Sequence, residues 1–292
     1  RSTLFPYTTL FRSQPLCDLV AEIEKGGNLV MVVSPKDFVF SVDKGEFWVQ
    51  AKERNLLSYD IFLLRGYNKT LTEIRIFAEF LLNNGKVVID ETVARDYIPS
   101  KLYEASKLLR EGLNYPKTFL VVDNEKIKSF AEELEFPVVV KPVYGQKGQE
   151  VNKFGGKADL IKFFSQKDKV EKFLLQEFLE IDGDVRVFVV GGRVLGAIKR
   201  FVISGDFRSN ASLGARAELF PVDQKMRDIA LKACKAMKYE IAGVDLAMAN
   251  GKWYVIEVNS TPQWQKFKEV TGVNPAKEII DYAIKKYEKI KR

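Results

Sequence analysis

The sequence contains no histidine among its 292 residues. This absence excludes a histidine general base, a Ser-His-Asp triad and every zinc site that depends on imidazole. Only two cysteines are present, Cys17 and Cys234, which are too few for a metal cluster and typical of buried thiols in a reducing cytosol. No apolar run is long enough to span a bilayer. An enzyme of this composition has to work with carboxylates, lysine, arginine and a metal ion.

The charge balance is moderately basic. There are 46 lysines and arginines against 39 acidic residues, a net charge of +7, which suits polyanions such as nucleotides, an acidic protein tail or a ribosomal surface. The basic residues form no blocks that would indicate sequence-specific binding to nucleic acid. A basic RNA-binding protein is a distant alternative, because the lysines alternate with glutamates and an aromatic stacking motif is lacking. We expect a cytoplasmic protein without a membrane partner.

Residues 1–13 differ from the rest of the chain. Their order, Arg-Ser-Thr-Leu-Phe-Pro-Tyr-Thr-Thr-Leu-Phe-Arg-Ser, lacks the successive regions of a signal peptide. It resembles translated sequencing-adaptor sequence. We therefore expect a dispensable, non-native leader without regular contacts, standing where a first strand is missing. A native but disordered arm is the alternative.

Hydrophobic periodicity predicts two main parts. Strands alternate with helices up to about residue 95, which indicates an α/β domain with a largely parallel sheet over residues 14–98. Residues 99–292 then divide into lobes of about 99–176 and 177–292, and consecutive strands make the C-terminal lobe α+β and antiparallel. The predicted helices are 16–25, 71–82, 100–111, 125–134, 159–164, 222–238 and 276–290, and the predicted strands are 29–33, 38–42, 47–49, 61–64, 87–89, 118–122, 138–141, 173–176, 185–190, 194–201, 242–249 and 253–259.

Three oxygen-bearing side chains lie close together in the last third of the chain. Asp245 lies in Ala-Gly-Val-Asp-Leu, and Glu257 and Asn259 lie in Val-Ile-Glu-Val-Asn. A carboxylate inside an apolar strand is costly unless something pairs with it, and strand alternation puts Glu257 and Asn259 on one face. Two carboxylates and an amide oxygen suit Mg²⁺ bridged to phosphates. Charged ends of solvated strands are the alternative.

A shared metal site sets a condition on the hairpin formed by the last two strands. A simple two-residue loop at Asn250-Gly251 would pair Asp245 with Ile256 and turn Glu257 to the opposite face. We therefore predict a three-residue loop or a one-residue bulge, for which the glycine is suited. Either device pairs Asp245 with Glu257 and keeps Asn259 on their face.

Basic side chains occur earlier at positions suited to phosphate. Lys141 follows Val-Val-Val at the end of a strand and should point at an anion or at solvent. The segment 144–148, Tyr-Gly-Gln-Lys-Gly, is a short loop whose N–H groups could cover phosphates, although it falls short of a Walker A motif. Lys101 opens a helix, where a solvated lysine is the ordinary interpretation.

Polar residues accompany apolar ones where the two lobes join. Glu177 and Phe178, in Leu-Leu-Gln-Glu-Phe-Leu, suit an adenine slot, and Asp184 suits a ribose hydroxyl or a basic side chain. A connecting loop with incidental acids is the alternative. The arginines that follow are Arg186, Arg200 and Arg208, the last close to Asn210. Because arginine binds oxygens bidentately, we expect Arg208 to clamp a phosphoryl group.

Together these motifs resemble the ATP-grasp superfamily, and most closely the ribosomal protein S6 modification (RimK-type) glutamate ligases. The resemblance covers residues 14–290 and is strongest over 138–262. The motifs that carry it are Lys101, Val139-Val-Lys141, Gln176-Glu-Phe178, Asp184-Val-Arg186, Asp206-Phe-Arg-Ser-Asn210, Gly243-Val-Asp245 and Glu257-Val-Asn-Ser-Thr-Pro262. The resemblance implies an ATP-grasp fold over residues 99–292, which follows an N-terminal pre-ATP-grasp α/β domain over residues 14–98.

The resemblance also implies roles for individual residues. It assigns ATP to Lys101, Lys141, Gln176, Glu177, Phe178, Asp184, Arg208, Ser209 and Asn210, Mg²⁺ or Mn²⁺ as two ions to Asp245, Glu257 and Asn259, and catalysis to Arg208, Arg186 and Arg200. The implied activity is amide formation, in which a carboxylate attacks the γ-phosphate of ATP and an amine displaces the resulting acyl phosphate. Such phosphoryl transfer needs positioning and charge neutralisation but no histidine.

The implied partners are ATP, an amino acid such as glutamate and a carboxylate acceptor. The acceptor stays open among a protein C-terminus, an amino-group carrier protein and a cofactor that carries γ-glutamate, and a homo-oligomer is compatible with the sequence. The alternative function is a catalytically weak ATP-grasp protein that acts as a nucleotide-regulated binding module. The intact Lys141, Asp245, Glu257 and Asn259 argue against that alternative.

The chain departs from the family pattern at three places. The phosphate-covering loop reads Gly148-Gln149-Glu150, and Gly214-Ala215 stands where a glycine pair is expected. After Pro262, Gln263-Trp264 replaces an expected glycine. We expect Trp264 near the acceptor side, where it would affect the choice of amine.

Overall fold

A computed structural model of the protein describes residues 13–66, 70–121, 123, 126–143, 151–167, 172–202 and 216–292, together with the backbone of residues 2–6. These residues form one parallel sheet and three antiparallel sheets. Among them, no helix is both long and apolar enough to cross a bilayer.

The parallel sheet belongs to the N-terminal part of the chain. Its strand order is β2-β1-β6-β7, with β1 at Ser2–Pro6, β2 at Leu29–Val33, β6 at Ile61–Leu63 and β7 at Val87–Ile89. Its helices are α1 (Gln14–Lys25), α2 (Leu71–Asn83) and α3 (Thr92–Arg95). The parallel pairing predicted for this part is confirmed.

The leader is partly regular, contrary to expectation. Strand β1 lies between β2 and β6 and pairs along its length with β2, from Ser2 opposite Leu29 to Pro6 opposite Val33. A strand in the middle of a sheet satisfies backbone N–H and C=O groups of both neighbours. The expectation of no regular contacts is therefore wrong for residues 2–6, which fill the position of the first strand. The non-native origin of the segment stays a prediction.

A small antiparallel sheet packs on helix α2. It consists of β3 (Phe38–Asp43), β4 (Glu46–Ala51) and β5 (Arg54–Asn55). The rings of Phe38 and Phe77 have centroids 4.6 Å apart, and those of Phe47 and Phe80 have centroids 5.6 Å apart. Aromatic contacts therefore attach this sheet to the helix.

The second large sheet follows helix α4 (Lys101–Arg110), whose N-cap Ser100 accepts from the N–H of Tyr103. The strand order is β10-β9-β11-β8, with β8 at Thr118–Val121, β9 at Val138–Pro142, β10 at Asn152–Phe154 and β11 at Phe173–Glu177. Helices α5 (Ile127–Phe130) and α6 (Lys157–Ser165) cover it. Helix α5 is one turn long, so the helix predicted over 125–134 is too long.

The third large sheet carries the predicted metal ligands. Its order is β14-β13-β12-β15-β16, with β12 at Gly183–Val190, β13 at Arg193–Phe201, β14 at Ala217–Phe220, β15 at Ile241–Ala249 and β16 at Lys252–Asn259. Helix α7 (Gln224–Met237) packs on one face, and α8 (Gln265–Thr271) and α9 (Pro275–Lys291) contribute to the core on the other. The antiparallel C-terminal lobe is confirmed, although the sequence reasoning missed β14 and α8.

Strand alternation explains how this sheet holds both a core and a charged site. On β12, Val185 and Val187 pack in the core under α7, whereas Phe188 joins a second core with Ile61 and Trp264. That second core joins the third sheet to the N-terminal parallel sheet. Residues two positions apart share a face, so Asp184 and Arg186 point to the same side as Phe188.

Candidate functional site

The hairpin of β15 and β16 places the three predicted metal ligands on one face. Asp245 lies opposite Glu257, and Gly243 lies opposite Asn259. Cross-strand partners share a face of the sheet, so Asp245, Glu257 and Asn259 project from the same side. The predicted register is confirmed.

A β-bulge produces this register, and the loop between β15 and β16 has only two residues. The turn is the pair Asn250-Gly251, with φ of 48° and 70°, the positive values that a two-residue hairpin turn needs. Ala249 pairs with Lys252, and the ladder shifts by one residue next to Asp245, which leaves Ile256 as the extra residue. The predicted bulge is therefore present, but not at the glycine, because the turn itself uses the left-handed conformation there.

Asp245 and three other charged side chains form a network in the interior of the third sheet. Arg186 lies opposite Asp245 and donates from Nε and Nη2 to its two oxygens, each at 2.7 Å. Arg200 lies opposite Asp184, binds both of its oxygens, and reaches Asp245 at 2.9 Å. Asp184, Arg200 and Asp245 are each at most 5% exposed. Burial alone would raise the pKa of Asp245, but the two guanidinium groups hold that pKa at about 2.

This network bears on the predicted roles of its members. Of the two partners expected for Asp184, a ribose hydroxyl or a basic side chain, the structure shows the second, because Arg200 binds both carboxylate oxygens. Arg186 and Arg200 both contact Asp245, so each is placed to orient that carboxylate. Their predicted catalytic role stays a prediction.

Helix α4 directs two side chains at β16. The Nζ of Lys101 donates to Oε1 of Glu257 at 2.7 Å. Burial lowers the pKa of Lys101, but attraction to Glu257 and Glu104, together with the hydrogen bond to Glu257, raises that pKa overall, and Lys101 in turn lowers the pKa of Glu257. One helical turn later, Oε2 of Glu104 accepts from the N–H of Val258 at 3.1 Å. Burial raises the pKa of Glu104 to about 7, with Lys101 opposing the shift.

Sequence reasoning missed Glu104, although a signal was present. The residue follows Lys101 by three positions and adjoins Ala105 and Leu108, the buried stripe of α4. A glutamate on the apolar stripe of an amphipathic helix has to find a partner or stay neutral. Its partner lies on a strand more than 150 residues away in the sequence, which the stripe alone does not identify.

Lys141 lies on β9 in a different environment. Its Nζ donates to Oε1 of Gln176 at 2.5 Å, and Nε2 of Gln176 donates to Oγ1 of Thr118 at 2.8 Å. Burial, followed by repulsion from Lys101, lowers the pKa of Lys141 to about 8. The structure thus brings both predicted phosphate lysines together with Gln176 beside β16.

The predicted adenine residues lie at the end of β11. The carboxylate of Glu177 accepts from the backbone N–H of Lys117 at 2.8 Å, and the backbone N–H of Phe178 donates to Pro137. The Nζ of Lys153 lies 3.4 Å from the centroid of the Phe178 ring. The Glu177 carboxylate is therefore directed at the backbone just before β8, and a contact with adenine stays a prediction for both residues.

Several predicted residues lie outside the described ranges. They are Arg208, Ser209 and Asn210, together with the loop 144–150 and the pair Gly214-Ala215. Their predicted roles at the nucleotide and at the acyl phosphate stay predictions.

Trp264 lies in the core, and the expectation that it borders the acceptor is wrong. Its side chain is fully buried, and Nε1 donates to Oδ2 of Asp18 at 3.0 Å. The guanidinium of Arg65 lies 5.5 Å from the centroid of the indole ring and donates to the carbonyls of Ser260 and Pro262. Trp264 therefore ties helix α1 to the segment after β16, because a large aromatic surface is most stable between two packed layers.

The donor set on β15 and β16 fits a hard divalent cation. Asp245 accepts from two arginines, Glu257 accepts from Lys101, and Oδ1 of Asn259 accepts from the N–H of Thr261 at 2.9 Å. A carboxylate has about four acceptor positions, so these contacts leave capacity for a cation. In the part of the chain that the structure describes, no group of three or more His, Cys, Asp or Glu forms an all-protein metal cage. Mg²⁺ matches this arrangement because it takes one or two carboxylates and completes its shell with phosphates and water.

Comparison with known proteins gives a consistent result. The model of the RimK-like ATP-grasp domain family matches residues 99–283. The chain is 28% identical over 278 residues to the alpha-aminoadipate–LysW ligase LysX of Sulfurisphaera tokodaii, with 93% of each chain covered. It is 33% identical over 272 residues to the "Probable alpha-L-glutamate ligase" of Shewanella loihica, covering 90% of this chain and 89% of that protein.

A solved structure shares the fold over nearly the whole chain. It is the ATP-grasp ligase PsnB in complex with a phosphomimetic variant of its minimal precursor, Mg and ADP, with a TM-score of 0.73 and 18% sequence identity. The match covers 98% of each chain. The predicted ATP-grasp fold is confirmed.

Proposed function

Because the chain belongs to the RimK-like ATP-grasp family, we propose that it is a ligase that forms an amide bond in two steps. A carboxylate oxygen of one substrate attacks the γ-phosphorus of ATP, which releases ADP and gives an acyl phosphate. The nitrogen of an amine then attacks the acyl carbon and, with loss of a proton, displaces inorganic phosphate. Both curated relatives named above are ligases, which supports a C–N bond-forming enzyme.

The observation that carries this proposal is the bulged hairpin. It puts Asp245, Glu257 and Asn259 on one face, with Lys101 on Glu257 and the second lysine, Lys141, nearby. We assign the three oxygen ligands to Mg²⁺, or Mn²⁺, as two ions. A cation held by these residues would neutralise negative charge on the phosphate oxygens and so favour phosphoryl transfer.

The remaining assignments concern the residues of this chain. Lys101 and Lys141 hold ATP phosphates with their ammonium groups, while Gln176 orients Lys141 through the 2.5 Å hydrogen bond. Arg186 and Arg200 keep the carboxylate of Asp245 ionised and oriented. Glu177 and Phe178 border the adenine, and Arg208, Ser209 and Asn210 bind nucleotide and acyl-phosphate oxygens.

The proposed amine substrate is glutamate or a similar amino acid. The names of the relatives support this class, since one acts on alpha-aminoadipate and another is named for L-glutamate. The acceptor carboxylate belongs to a protein C-terminus, a carrier protein or a cofactor, and the net charge of +7 suits an acidic one. Cys17 is an exposed free thiol, so the expectation that both cysteines are buried is wrong for it, and Cys234 is a buried free thiol. Free thiols fit the proposed location in the cytoplasm.

An ADP-release screen tests the function. Purified protein with ATP and Mg²⁺ is mixed with each amino acid and each of a set of acidic peptides, separately and in pairs. We expect rapid ADP release only when an amine and a carboxylate acceptor are both present, with glutamate among the effective amines. Tight nucleotide binding without acceptor-dependent ADP release would instead support the nucleotide-regulated binding module.

A further inference from the structure

Strand β16 is an edge strand, and its outer backbone groups are bound by the segment that follows helix α4 and by the helix itself. The N–H of Val255 donates to the carbonyl of Asn114 at 2.9 Å, and Nδ2 of Asn114 donates to the carbonyl of Trp253 at 3.0 Å. The N–H of Val258 donates to Oε2 of Glu104 at 3.1 Å. Edge N–H groups need such partners because, among the described residues, no further strand binds them.

The bulge decides which N–H groups point outward. Along a regular strand, backbone N–H groups alternate between the two neighbours, so outward N–H groups at 255 and 257 would be expected without a bulge. The extra residue, Ile256, reverses this order, and the N–H of Val258 points outward instead. The same reversal turns Glu257 toward the face of Asp245. The hydrogen bond to Glu104 therefore forms only in the register that assembles the metal ligands.

Glu104 occupies a costly position. Its side chain lies on the buried stripe of α4 and is 7% exposed. Its second oxygen, Oε1, is buried and finds no hydrogen-bond partner within the described ranges. An apolar residue would avoid the cost of burying a carboxylate. The carboxylate, unlike an apolar side chain, accepts a hydrogen bond from the backbone N–H of Val258.

We propose that Glu104 is a positioning residue that holds the bulged register of β16 and thereby keeps Glu257 and Asn259 on the face of Asp245. The part of this inference that concerns the metal rests on the proposed function. Lys101 and Glu104 act on adjacent residues of the strand. Lys101 binds the side chain of Glu257, and Glu104 binds the backbone one residue later. One turn of helix α4 thus fixes the metal-ligand strand relative to the phosphate lysine.

The test uses four variants of the full chain. Glu104→Met removes the acceptor with little change in volume, and Glu104→Asp keeps the charge but shortens the reach by one methylene. Glu104→Gln keeps an acceptor oxygen at full reach and serves as the conservative rescue. Glu111→Met is the matched control, because Glu111 caps the other end of the same helix and is exposed.

The first measurement needs neither metal nor nucleotide. Amide hydrogen exchange at Val258 is followed by NMR in protein labelled with ¹⁵N-valine, with the Val255 amide as an internal reference. We expect exchange at Val258 to accelerate at least roughly tenfold in Glu104→Met and Glu104→Asp, since exchange follows local opening. Exchange at Val255 should stay as it is, and Glu104→Gln should retain most of the protection at Val258.

The second measurement is the affinity for Mn²⁺ by electron paramagnetic resonance, with a non-hydrolysable ATP analogue bound. Loss of an outer-shell contact typically weakens metal binding on the order of 10–100-fold. We expect that loss for Glu104→Met and Glu104→Asp but not for Glu111→Met. A merely structural role would lower the melting temperature of the Glu104 variants without moving Mn²⁺ affinity.

The outcomes separate this inference from the proposed function. If Val258 keeps its protection in Glu104→Asp, or loses it without weaker Mn²⁺ binding, the positioning role is wrong and the ligase assignment stands. If the wild-type protein binds neither Mn²⁺ nor nucleotide, the proposed function fails, and the exchange data still report whether Glu104 holds the register. Glu104→Asp supplies the exchange and Mn²⁺ data should Glu104→Met fail to fold.

Discussion

Lys101 and Lys141 are both predicted to bind phosphate, yet the two parts of the ATP-grasp domain hold them in opposite ways. Lys101, on α4, binds a carboxylate of the third sheet, and this ion pair raises its pKa. Lys141, on β9, binds the neutral amide of Gln176, and burial with repulsion from Lys101 lowers its pKa to about 8. Lys101 is therefore balanced before any ligand binds, whereas Lys141, which is charged at neutral pH, forms no ion pair with any residue that the structure describes.

This difference predicts which of the two lysines contributes more to the free energy of binding an anion. A cation that is already paired gains little from a second anion, because it has been desolvated and neutralised by the protein. A buried ammonium with only an amide partner gains more, since the phosphate supplies the missing charge. The third sheet therefore acts as a preformed, internally balanced part of the site, and the second sheet supplies the unbalanced charge.

The largest loss of stability is expected when the network of charges around Asp245 is broken. Asp245→Asn removes the charge that both Arg186 and Arg200 contact, and breaking a buried pair in this way costs about 3–5 kcal/mol of stability. Chemical denaturation measures the loss, and Mn²⁺ binding should also disappear. Asp184→Asn is the comparison, because Asp184 contacts only Arg200 of the two arginines; it should lose stability but keep Mn²⁺ binding. Wild-type stability in Asp245→Asn would show that the network contributes nothing.

Replacing Lys141 should lower the affinity for ATP more than the stability of the fold. Lys141→Met leaves a neutral amide behind, so we expect a folded protein whose affinity for ATP falls by about 1.5–3 kcal/mol, the usual value of a charged hydrogen bond. Calorimetry with Mg-ATP measures the change, and Lys162→Met on the exposed side of α6 is the control. Unchanged nucleotide binding in a folded Lys141→Met protein would remove Lys141 from the phosphate site.

The charges of Lys101 and Lys141 should also respond differently to pH. Lys141 loses its proton as pH rises through about 8, whereas the raised pKa keeps Lys101 charged throughout this range. ATP binding then has to restore the proton on Lys141, so affinity should fall on the order of tenfold between pH 7 and pH 9. Calorimetry in buffers of different ionisation enthalpy would detect the proton uptake. The same pH dependence in Lys141→Met would assign it to another group.

The smallest effect on ligand binding is expected away from both lysines, at Trp264. Trp264→Phe removes the hydrogen bond to the carboxylate of Asp18, and a hydrogen bond to a charged group contributes about 1.5–3 kcal/mol to stability. Because Trp264 lies in the core, we expect a lower melting temperature with an unchanged KM for the amine. A shift in amine preference without a change in stability would return Trp264 to the acceptor site.

Much of the architecture was predictable because it depends on local patterns. Alternating apolar residues identified β12, β13, β15 and β16, and helical periodicity identified α1, α2, α7 and α9. Strand β14 and helix α8 were missed, since β14 (Ala217–Phe220) is a largely exposed strand with a charged residue and lacks the continuous apolar run that identified the equally short β6 and β7. Strand β1 was dismissed because its composition is unlike the remainder, although any extended backbone can pair between two strands.

The amino-acid sequence by itself determined the chemistry available to this protein. Without histidine it relies on carboxylates, amides, lysine and arginine, and the spacing of Asp245, Glu257 and Asn259 required either a longer loop or a bulge if they share a site. Only the tertiary structure decided between the longer loop and the bulge. A bulge depends on the hydrogen bonds between β15 and β16 and on those along the outer edge of β16. One of the outer hydrogen bonds runs from Val258 to Glu104, on a helix that is distant in the sequence. The tertiary structure also decided which charges balance one another, since pairs such as Arg200 with Asp245 form by strand order and burial, neither of which one strand can reveal.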